Sequence, residues 1–198
     1  MTEDSTPVQT EDITQLARLH RMTMPLSVLG RLGEGALERY YRWVAVSESE
    51  QLFISREDRL VVGAAVLSVR PATLIRRFVA ADPLAFARDA AKAFAVDREF
   101  RADVRAFLSG SGAKSPLEMP EVLQIFVAPQ HQGQHAGSRL LDRVEIWLKH
   151  HGVSRYCVRT LVEDNQPTLA FYNRRGFQTA GESIFCGLRY HVLEKAVC

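Results

Sequence analysis

The stretch Val122 to Gly137, VLQIFVAPQHQGQHAG, with SRLLDRVEIWLKHHG behind it, constrains this chain more than any other. Val122 to Val127 is an apolar run of strand length and composition, and Pro129 ends it. Two glycines, Gly133 and Gly137, punctuate the short polar turn that follows. Leu140, Leu141, Val144, Trp147 and Leu148 then recur at helical spacing, and Gly152 closes the helix. A strand that enters a helix through a glycine-bearing turn aims backbone N–H groups and the positive end of a helix dipole at one spot. That spot suits a phosphate, and we read it as a site for the pyrophosphate of a coenzyme. The competing reading is an ordinary strand-to-helix turn, since short glycine patterns recur by accident.

The rest of the chain bounds what such a turn can serve. Its 198 residues suffice for one sizeable domain, or a domain with an insertion. With 46% apolar and 24% charged residues, it has the balance of a soluble globular protein. A net charge of +2 without a basic stripe argues against a nucleic-acid partner, while leaving a modest attraction for anionic small molecules. Cys157, Cys186 and Cys198 are far apart and lack C-x-x-C spacing, which argues against a disulfide or zinc framework and for a reducing compartment. His131, His150 and His151 suggest no metal site and are assigned no role. The start, MTEDSTPVQTED, resembles neither a signal nor a transit peptide, and no apolar run approaches the roughly 18–20 residues of a bilayer span. A cytoplasmic enzyme or binding protein without a membrane partner is expected.

Taken in order, residues 1–10 read as disordered. Thr10 or Asp12 caps a helix bearing Ile13, Leu16, Ala17 and Leu19, which ends near Met24-Pro25. A second helix runs from Ser27 or Gly35 to Val46, with Leu37, Tyr40, Trp43 and Val44 in a stripe that reads as core. QLFISRED and RLVVGAAVLSVR form an antiparallel hairpin turning at Glu57-Asp58, with Gly63 marking a bulge or close packing. Residues 71–113 read as a helical insertion between two strands. Asp82-Pro83 starts one helix, a second carries Phe100, Val104, Phe107 and Leu108 to Ser109, and SGSGAKS is a loop. Arg76, Arg77, Arg88, Arg98, Arg101 and Arg105 give the insertion a basic surface, read first as a solvated face and otherwise as a lid for an anionic substrate. After the central element come a strand at 156–162, a short helix Pro167 to Arg175 capped by Asp164 or Asn165, and two strands at about 177–185 and 188–195.

The C-terminal half resembles a known family. Strand 122–127, the turn HQGQHAGSRLL, strand 156–162 and NQPTLAFYNRRGF are similar to the GNAT superfamily of acetyl-coenzyme A-dependent N-acetyltransferases. The turn matches the family's (Gln or Arg)-x-x-Gly-x-(Gly or Ala) pattern as Gln132-Gly133-Gln134-His135-Ala136-Gly137. The second pattern is present as Asn165, Tyr172, Gly176 and Phe177. His135 departs from the turn pattern where a glycine is usual, and Thr168 stands where an alanine is usual. The resemblance implies an α/β (α+β) fold over 1–198: a GNAT-like mixed, mostly antiparallel central sheet flanked by helices, with its coenzyme-binding core at 121–177.

The resemblance also implies the chemistry. Acetyl-coenzyme A would be the acyl donor, with no metal, and a small-molecule primary amine the acceptor; a homodimer is admitted. Gln132, Gly133, Gln134, His135, Ala136, Gly137 and Ser138 would bind the pyrophosphate. Ile125, Phe126 and Val127 would pair with the pantetheine arm, and an N–H near Phe126 would polarise the acetyl carbonyl. Such a strand splays from its neighbour at 156–162. Asn165 would orient the arm and Tyr172 would be the general acid for the departing thiolate. Glu121 is the candidate base, with Glu118 and His20 as rivals and a water chain as a substitute. Met24, Leu26 and Ser27 would meet the acceptor together with the insertion. MPLSVLGRLGEGALERYY faintly resembles family members that acetylate amino sugars on nucleotide carriers. The alternatives are an acyl-coenzyme A-binding module without turnover and a protein or peptide N-acetyltransferase.

Overall fold

A computed structural model of the chain describes residues 7–106, 119–163 and 165–197. Helix α1 (Thr10–Thr23) starts where Gln9 stands extended as its N-cap. Asp12 does not cap it directly; from the third helical position its Oδ2 takes the Gln9 N–H at 2.7 Å. The single second helix expected from sequence is two, α2 (Val28–Arg31) and α3 (Glu34–Val46). Gly33 between them has φ 97°, where a glycine is needed. Strands β1 (Glu50–Glu57) and β2 (Leu60–Ser68) follow. Their turn falls at Asp58-Arg59, one residue later than expected, with φ 47° and 70°, the sign that suits the twist of a two-residue hairpin.

Three helices occupy the stretch read as an insertion: α4 (Leu74–Ala81), α5 (Pro83–Val96) and α6 (Arg98–Ala106). Asp82 caps α5 by accepting the Ala85 N–H at 3.0 Å. Helix α4 was not foreseen. The expected continuation through Phe107, Leu108 and Ser109 and the SGSGAKS loop lie outside the described residues, as do positions 1–6, Glu118, Asp164 and Cys198. Strand β3 (Glu121–Val127) leads through a 3-10 turn at Pro129–His131 to α7 (Ala136–His150). Then come β4 (Arg155–Leu161), α8 (Gln166–Arg174), β5 (Gln178–Phe185) and β6 (Leu188–Ala196).

The six strands lie in the order β1-β2-β3-β4-β6-β5. Every neighbouring pair is antiparallel except β3 and β4, which are parallel. This is the expected mixed, mostly antiparallel α/β sheet with helices on both sides. On one face Leu16, Leu37, Tyr41 and Val44 of α1 and α3 pack against Ile54, Ala64, Val66 and Phe126. On the other, Leu140, Leu141, Val144 and Leu148 of α7 pack against Ala65, Leu67, Val122 and Val158. Strand β2 is thus covered on both faces, which is why its sequence reads as an unbroken apolar run rather than an alternation.

The insertion is tied down. Leu32 and Ala36 meet Ala93 and Phe100 in a small core. Arg31 reaches Asp97, Glu99 and Asp103 at 3.5, 2.5 and 3.4 Å. Arg77 of α4 forks onto the buried Glu50 at 2.6 and 2.7 Å, and Ser47 and Ser68 donate to the same carboxylate. Arg101 donates to Phe94 O at 2.9 Å. Part of the expected solvated basic face is therefore structural.

Gly63 meets both readings made of it. It stands opposite Val127 beside a bulge, since Ser55 pairs with Gly63 but Arg56 with Val61. A Cβ at Gly63 would come within 2.8 Å of Phe126 O and 3.3 Å of Val127 Cγ2. Gly63→Ala should therefore cost about 1–3 kcal/mol by overpacking, read as a lower denaturant midpoint with an unchanged slope. An unchanged midpoint would show that β3 moves aside freely.

Candidate active site

Strands β3 and β4 pair over two positions only, Glu121 with Cys157 and Val122 with Val158. A bulge follows at once: Val66 pairs with Gln124 but Leu67 with Val122, so Leu123 has no partner on β2. Bulges bend the strand that carries them. From here β3 leaves β4, and its far edge is unpaired up to Val127. Which groups line that edge follows from alternation along the strand. The Ala128 N–H donates to Val62 O on β2 at 2.8 Å. Phe126, two residues earlier, also turns its backbone groups toward β2. The expectation of a polarising N–H near Phe126 therefore moves to its neighbours: Ile125 and Val127 present theirs to the opening.

The turn beyond β3 is held by its own side chains. Gln132 Nε2 donates to Val127 O at 3.1 Å, Gln134 Nε2 to Gln130 O at 3.0 Å, and Arg139 Nη1 to Gln134 O at 2.9 Å. Gly133 has φ 75°. His135, the residue that departs from the family pattern, has φ 61° and ψ 8° at the N-cap of α7. It adopts the left-handed backbone that a glycine would take without cost, at a strain of ~1–2 kcal/mol. The first intrahelical bond of α7 runs from Arg139 N to His135 O. The N–H groups of Ala136, Gly137 and Ser138 thus have no helical acceptor and point outward with the positive end of the dipole. A Cβ at Gly137 would meet Phe171 Cζ at 3.6 Å and Val127 Cγ2 at 3.8 Å, ordinary contact distances that packing accommodates.

A cavity of about 580 Å³ lies where these elements meet. Of the expected donor-binding residues, Ile125, Phe126, Val127, Gln132, Gly133, His135, Ala136, Gly137, Ser138 and Tyr172 line it. Gln134 and Asn165 do not. Gln134 turns back onto Gln130, and Asn165 Nδ2 donates to Thr160 Oγ1 and Leu161 O, pinning α8 to β4 without capping the helix with its side chain. Thr23, Pro167, Thr168, Phe171 and Arg174 also line the cavity. Sequence reasoning gave these no role at the donor site; the arginine pair in NRRGF was the one visible signal, and it was read as a helix end. Arg175 is engaged by Asp142.

Tyr172 is buried between Phe171 and Phe177, ring centroids 5.3 and 5.1 Å away. Among the described residues its hydroxyl makes no hydrogen bond. Burial pushes its pKa well above the ordinary phenol value, so it is protonated at neutral pH. Glu121 is 1% exposed, with Oε1 2.5 Å from Arg159 Nε and Oε2 without a partner among the described residues. Burial raises its carboxyl pKa against the pull of Arg159. It lies outside the cavity lining, about 13 Å along β3 from Ile125 at ~3.3 Å per residue. On the acceptor side Met24 lines the cavity, Leu26 is exposed, and Ser27 accepts the Gly30 N–H at 3.4 Å while contacting buried His20. Among the described residues, no three His, Cys, Asp or Glu side chains converge as metal ligands, and no helix is long and apolar enough to cross a membrane.

A glycine at position 135 would relax the left-handed turn. His135→Gly should leave coenzyme affinity unchanged or tighten it, as measured by titration calorimetry. Clear weakening would show that the imidazole itself contacts the ligand.

Comparisons with known proteins agree with this geometry. No curated protein sequence matches the chain significantly. Among solved structures, a GNAT-family acetyltransferase from Desulfovibrio desulfuricans superposes with a TM-score of 0.62 at 15% identity, over 96% of both chains. The ribosomal-protein-S18-alanine N-acetyltransferase from Escherichia coli gives 0.58 at 12% identity, over 97% of this chain and 92% of that one. The PaiA N-acetyltransferase from Thermoplasma acidophilum, solved in complex with coenzyme A, gives 0.54 at 14% identity over 99% of both. At such identities these structures share the fold. The sequence model of the Acetyltransferase (GNAT) family matches residues 15–177. Matched over most of its length, with the splayed strands and the strand–turn–helix element in place, the chain belongs to the GNAT family of acetyltransferases.

Proposed function

We propose that the protein transfers the acetyl group of acetyl-coenzyme A to the primary amine of a small molecule. The observation that carries this reading is the cavity itself: one wall is the unpaired edge of β3, one end is the open N-terminus of α7, and Tyr172 lines it. Acetyl-coenzyme A supplies an activated thioester. The N–H groups of Ala136, Gly137 and Ser138 hold its pyrophosphate, and the turn's left-handed residues let the backbone approach. The Ile125 and Val127 edge pairs with the pantetheine arm as an added strand would, and one of these N–H groups stabilises the developing oxyanion.

The acceptor nitrogen forms the C–N bond as the C–S bond breaks. Tyr172 donates a hydrogen bond to the departing thiolate. Its phenol is a weaker acid than a thiol, whose pKa is about 8.5, so it shares its proton more than it surrenders it. Glu121 accepts the amine's proton through water, using the oxygen that Arg159 leaves open; its distance along β3 rules out direct contact with the edge. A nucleotide-linked amino sugar is one candidate acceptor. Support for it from the insertion's arginines is thinner than their number suggests, since Arg77 and Arg101 are held by protein groups.

The test is thiol release from acetyl-coenzyme A with a panel of small amines, an amino sugar on a nucleotide, and a peptide with a free N-terminus. Release with small amines supports the reading. Release with the peptide alone would make the protein a peptide N-acetyltransferase. Coenzyme binding without any release would make it a binding module.

A further inference from the structure

Helices α5 and α6 pack their inner faces on one small core. Phe86, Ala90 and Ala93 of α5 and Phe100 and Val104 of α6 meet Leu32 and Ala36 there. Their outer faces therefore look away from the protein together. On α5 the outer face is apolar. Leu84, Ala87, Ala91 and Phe94 recur at i, i+3, i+7 and i+10, and all four are exposed, Leu84 to 83% and Phe94 to 45%. On α6 the outer face is cationic: Arg98, Arg101 and Arg105 recur at i, i+3 and i+7. Arg101 reaches back to Phe94 O and Ala95 O at 2.9 and 3.4 Å, which brings the cations against the end of the stripe. Arg88 and Lys92, both exposed, border the stripe along α5.

The fold sorts the charges of these helices by sign. Asp97, Glu99 and Asp103 are drawn onto Arg31, and Asp89 onto Arg39. Asp82 caps α5. Lys92, Arg98 and Arg105 have no ion-pair partner among the described residues, and Arg88 only shares Asp89 at 3.3 Å. What faces outward is an apolar stripe with a rim of one sign. A face meant for water alone needs neither Leu84 and Phe94 in the open nor such a rim. Its shape narrows the partner further. The stripe is the convex back of one helix, and it lines neither the cavity beside β3 nor the one bounded by Trp43, Phe78 and Phe86. A protein partner anchors large side chains in pockets, whereas a fluid lipid interface closes around separate projecting ones. The guanidinium fork also matches the oxygens of a phosphate.

We propose that the outer face of α5 and α6 rests on a membrane surface rich in anionic phospholipid, with Leu84 and Phe94 at the boundary of headgroups and acyl chains and Arg88, Lys92, Arg98 and Arg105 on the lipid phosphates. Such contact is peripheral. The expectation of no membrane partner rested on the lack of a spanning segment, which leaves surface contact open. The proposal does not depend on the acetyl-transfer reading.

The experiment is flotation of the full chain with phosphatidylcholine vesicles, with and without phosphatidylglycerol. In a second arm, emission from Leu84→Trp is read against the wild type, whose own Trp43 and Trp147 pack against the two main cores. Expected are flotation only where phosphatidylglycerol is present, weakening as salt screens the charges, and a blue shift of the added tryptophan on those vesicles. Arg98→Gln combined with Arg105→Gln should weaken vesicle binding roughly 25-fold, about fivefold for each cation near an anionic surface. Both side chains are exposed, so the thermal midpoint and thiol release with a soluble amine should stay at wild-type values. No flotation, equal flotation on both kinds of vesicle, full binding by the double variant, or an unshifted Leu84→Trp emission overturns the proposal. Binding to poly-glutamate but not to vesicles would make the partner an acidic protein and overturns it too. A chain that floats as expected yet releases no thiol with any amine supports this proposal while sinking the acetyl-transfer reading.

Discussion

Replacing Tyr172 with phenylalanine should lower kcat about 100-fold or more, the usual contribution of a positioned proton donor, with little change in coenzyme affinity. Phenylalanine keeps the ring that packs on Phe171 and Phe177, so the fold and the cavity wall should survive. What is lost is the hydroxyl that the proposed mechanism sets against the leaving sulfur. With no hydrogen-bond partner among the described residues, it needs no bond broken before it can serve the thiolate. The pH profile carries the same signature. Burial raises the phenol, so wild-type kcat should not fall on the alkaline side until above the ordinary phenol value of about 10. Steady-state kinetics with calorimetry for the coenzyme decides the matter: an unchanged kcat removes Tyr172 from the chemistry, and an equal loss in affinity makes it a binding residue.

Arg77→Ala should cost ~3 kcal/mol of stability at neutral pH, a large effect for a residue at the protein surface. Glu50 is 1% exposed, and the guanidinium of Arg77 is the only cation within salt-bridge reach of it among the described residues. Removing that partner leaves a buried carboxylate with two serine hydroxyls for company. It would also release α4, and with it the stacking of Arg77 over Trp43. The pH dependence has a definite sign. In the wild type the hydrogen bonds to Arg77 and the serines hold the Glu50 pKa below its ordinary value despite burial. That contribution is present above the unfolded pKa and is lost as pH falls through the folded one. In the variant burial is opposed only by the two serines and raises the pKa, so protonation relieves the penalty. The gap between the two proteins should begin to shrink above the ordinary glutamate pKa of about 4.5, as pH falls through the variant's raised pKa, and go on shrinking below it until Glu50 is protonated in the wild type as well, in urea unfolding followed at several pH values. A gap that stays constant with pH would mean that lost packing, not charge, sets the cost.

How far the sequence disclosed this molecule depended on the reach of each signal. Periodicity and punctuation are local, and they placed α1, α5, α7, α8 and the six strands within a residue or two. Helix α4 escaped because its eight residues carry Arg76 and Arg77 in mid-run, which reads as surface; the pairing of Arg77 with Glu50 spans 27 positions and has no local trace. The break at Gly33 was masked by the apolar residues on either side. At the site, backbone geometry was legible wherever glycine or its substitute announced it, as at Gly133 and His135. Side-chain destinations were not. Gln134 matched the motif yet faces away, Asn165 tethers α8 rather than capping it, and Glu121 met a cation 38 residues downstream.

The bulge at Leu123 has a consequence beyond the chemistry it serves. A strand edge with unsatisfied N–H and C=O groups is an invitation to other chains, and sheets usually guard their outer strands for that reason. Here the hungry edge is not on the outside. It lies in the middle of the sheet, in a cleft closed at its root by the pairs at Glu121 and Val122 and flanked by α7 and α8. A strand from a second molecule would have to enter end-on, while a slender flexible chain can slide in lengthwise. The protein thus keeps backbone pairing capacity in reserve without exposing it to aggregation, and the shape of the cleft decides what may complete the sheet.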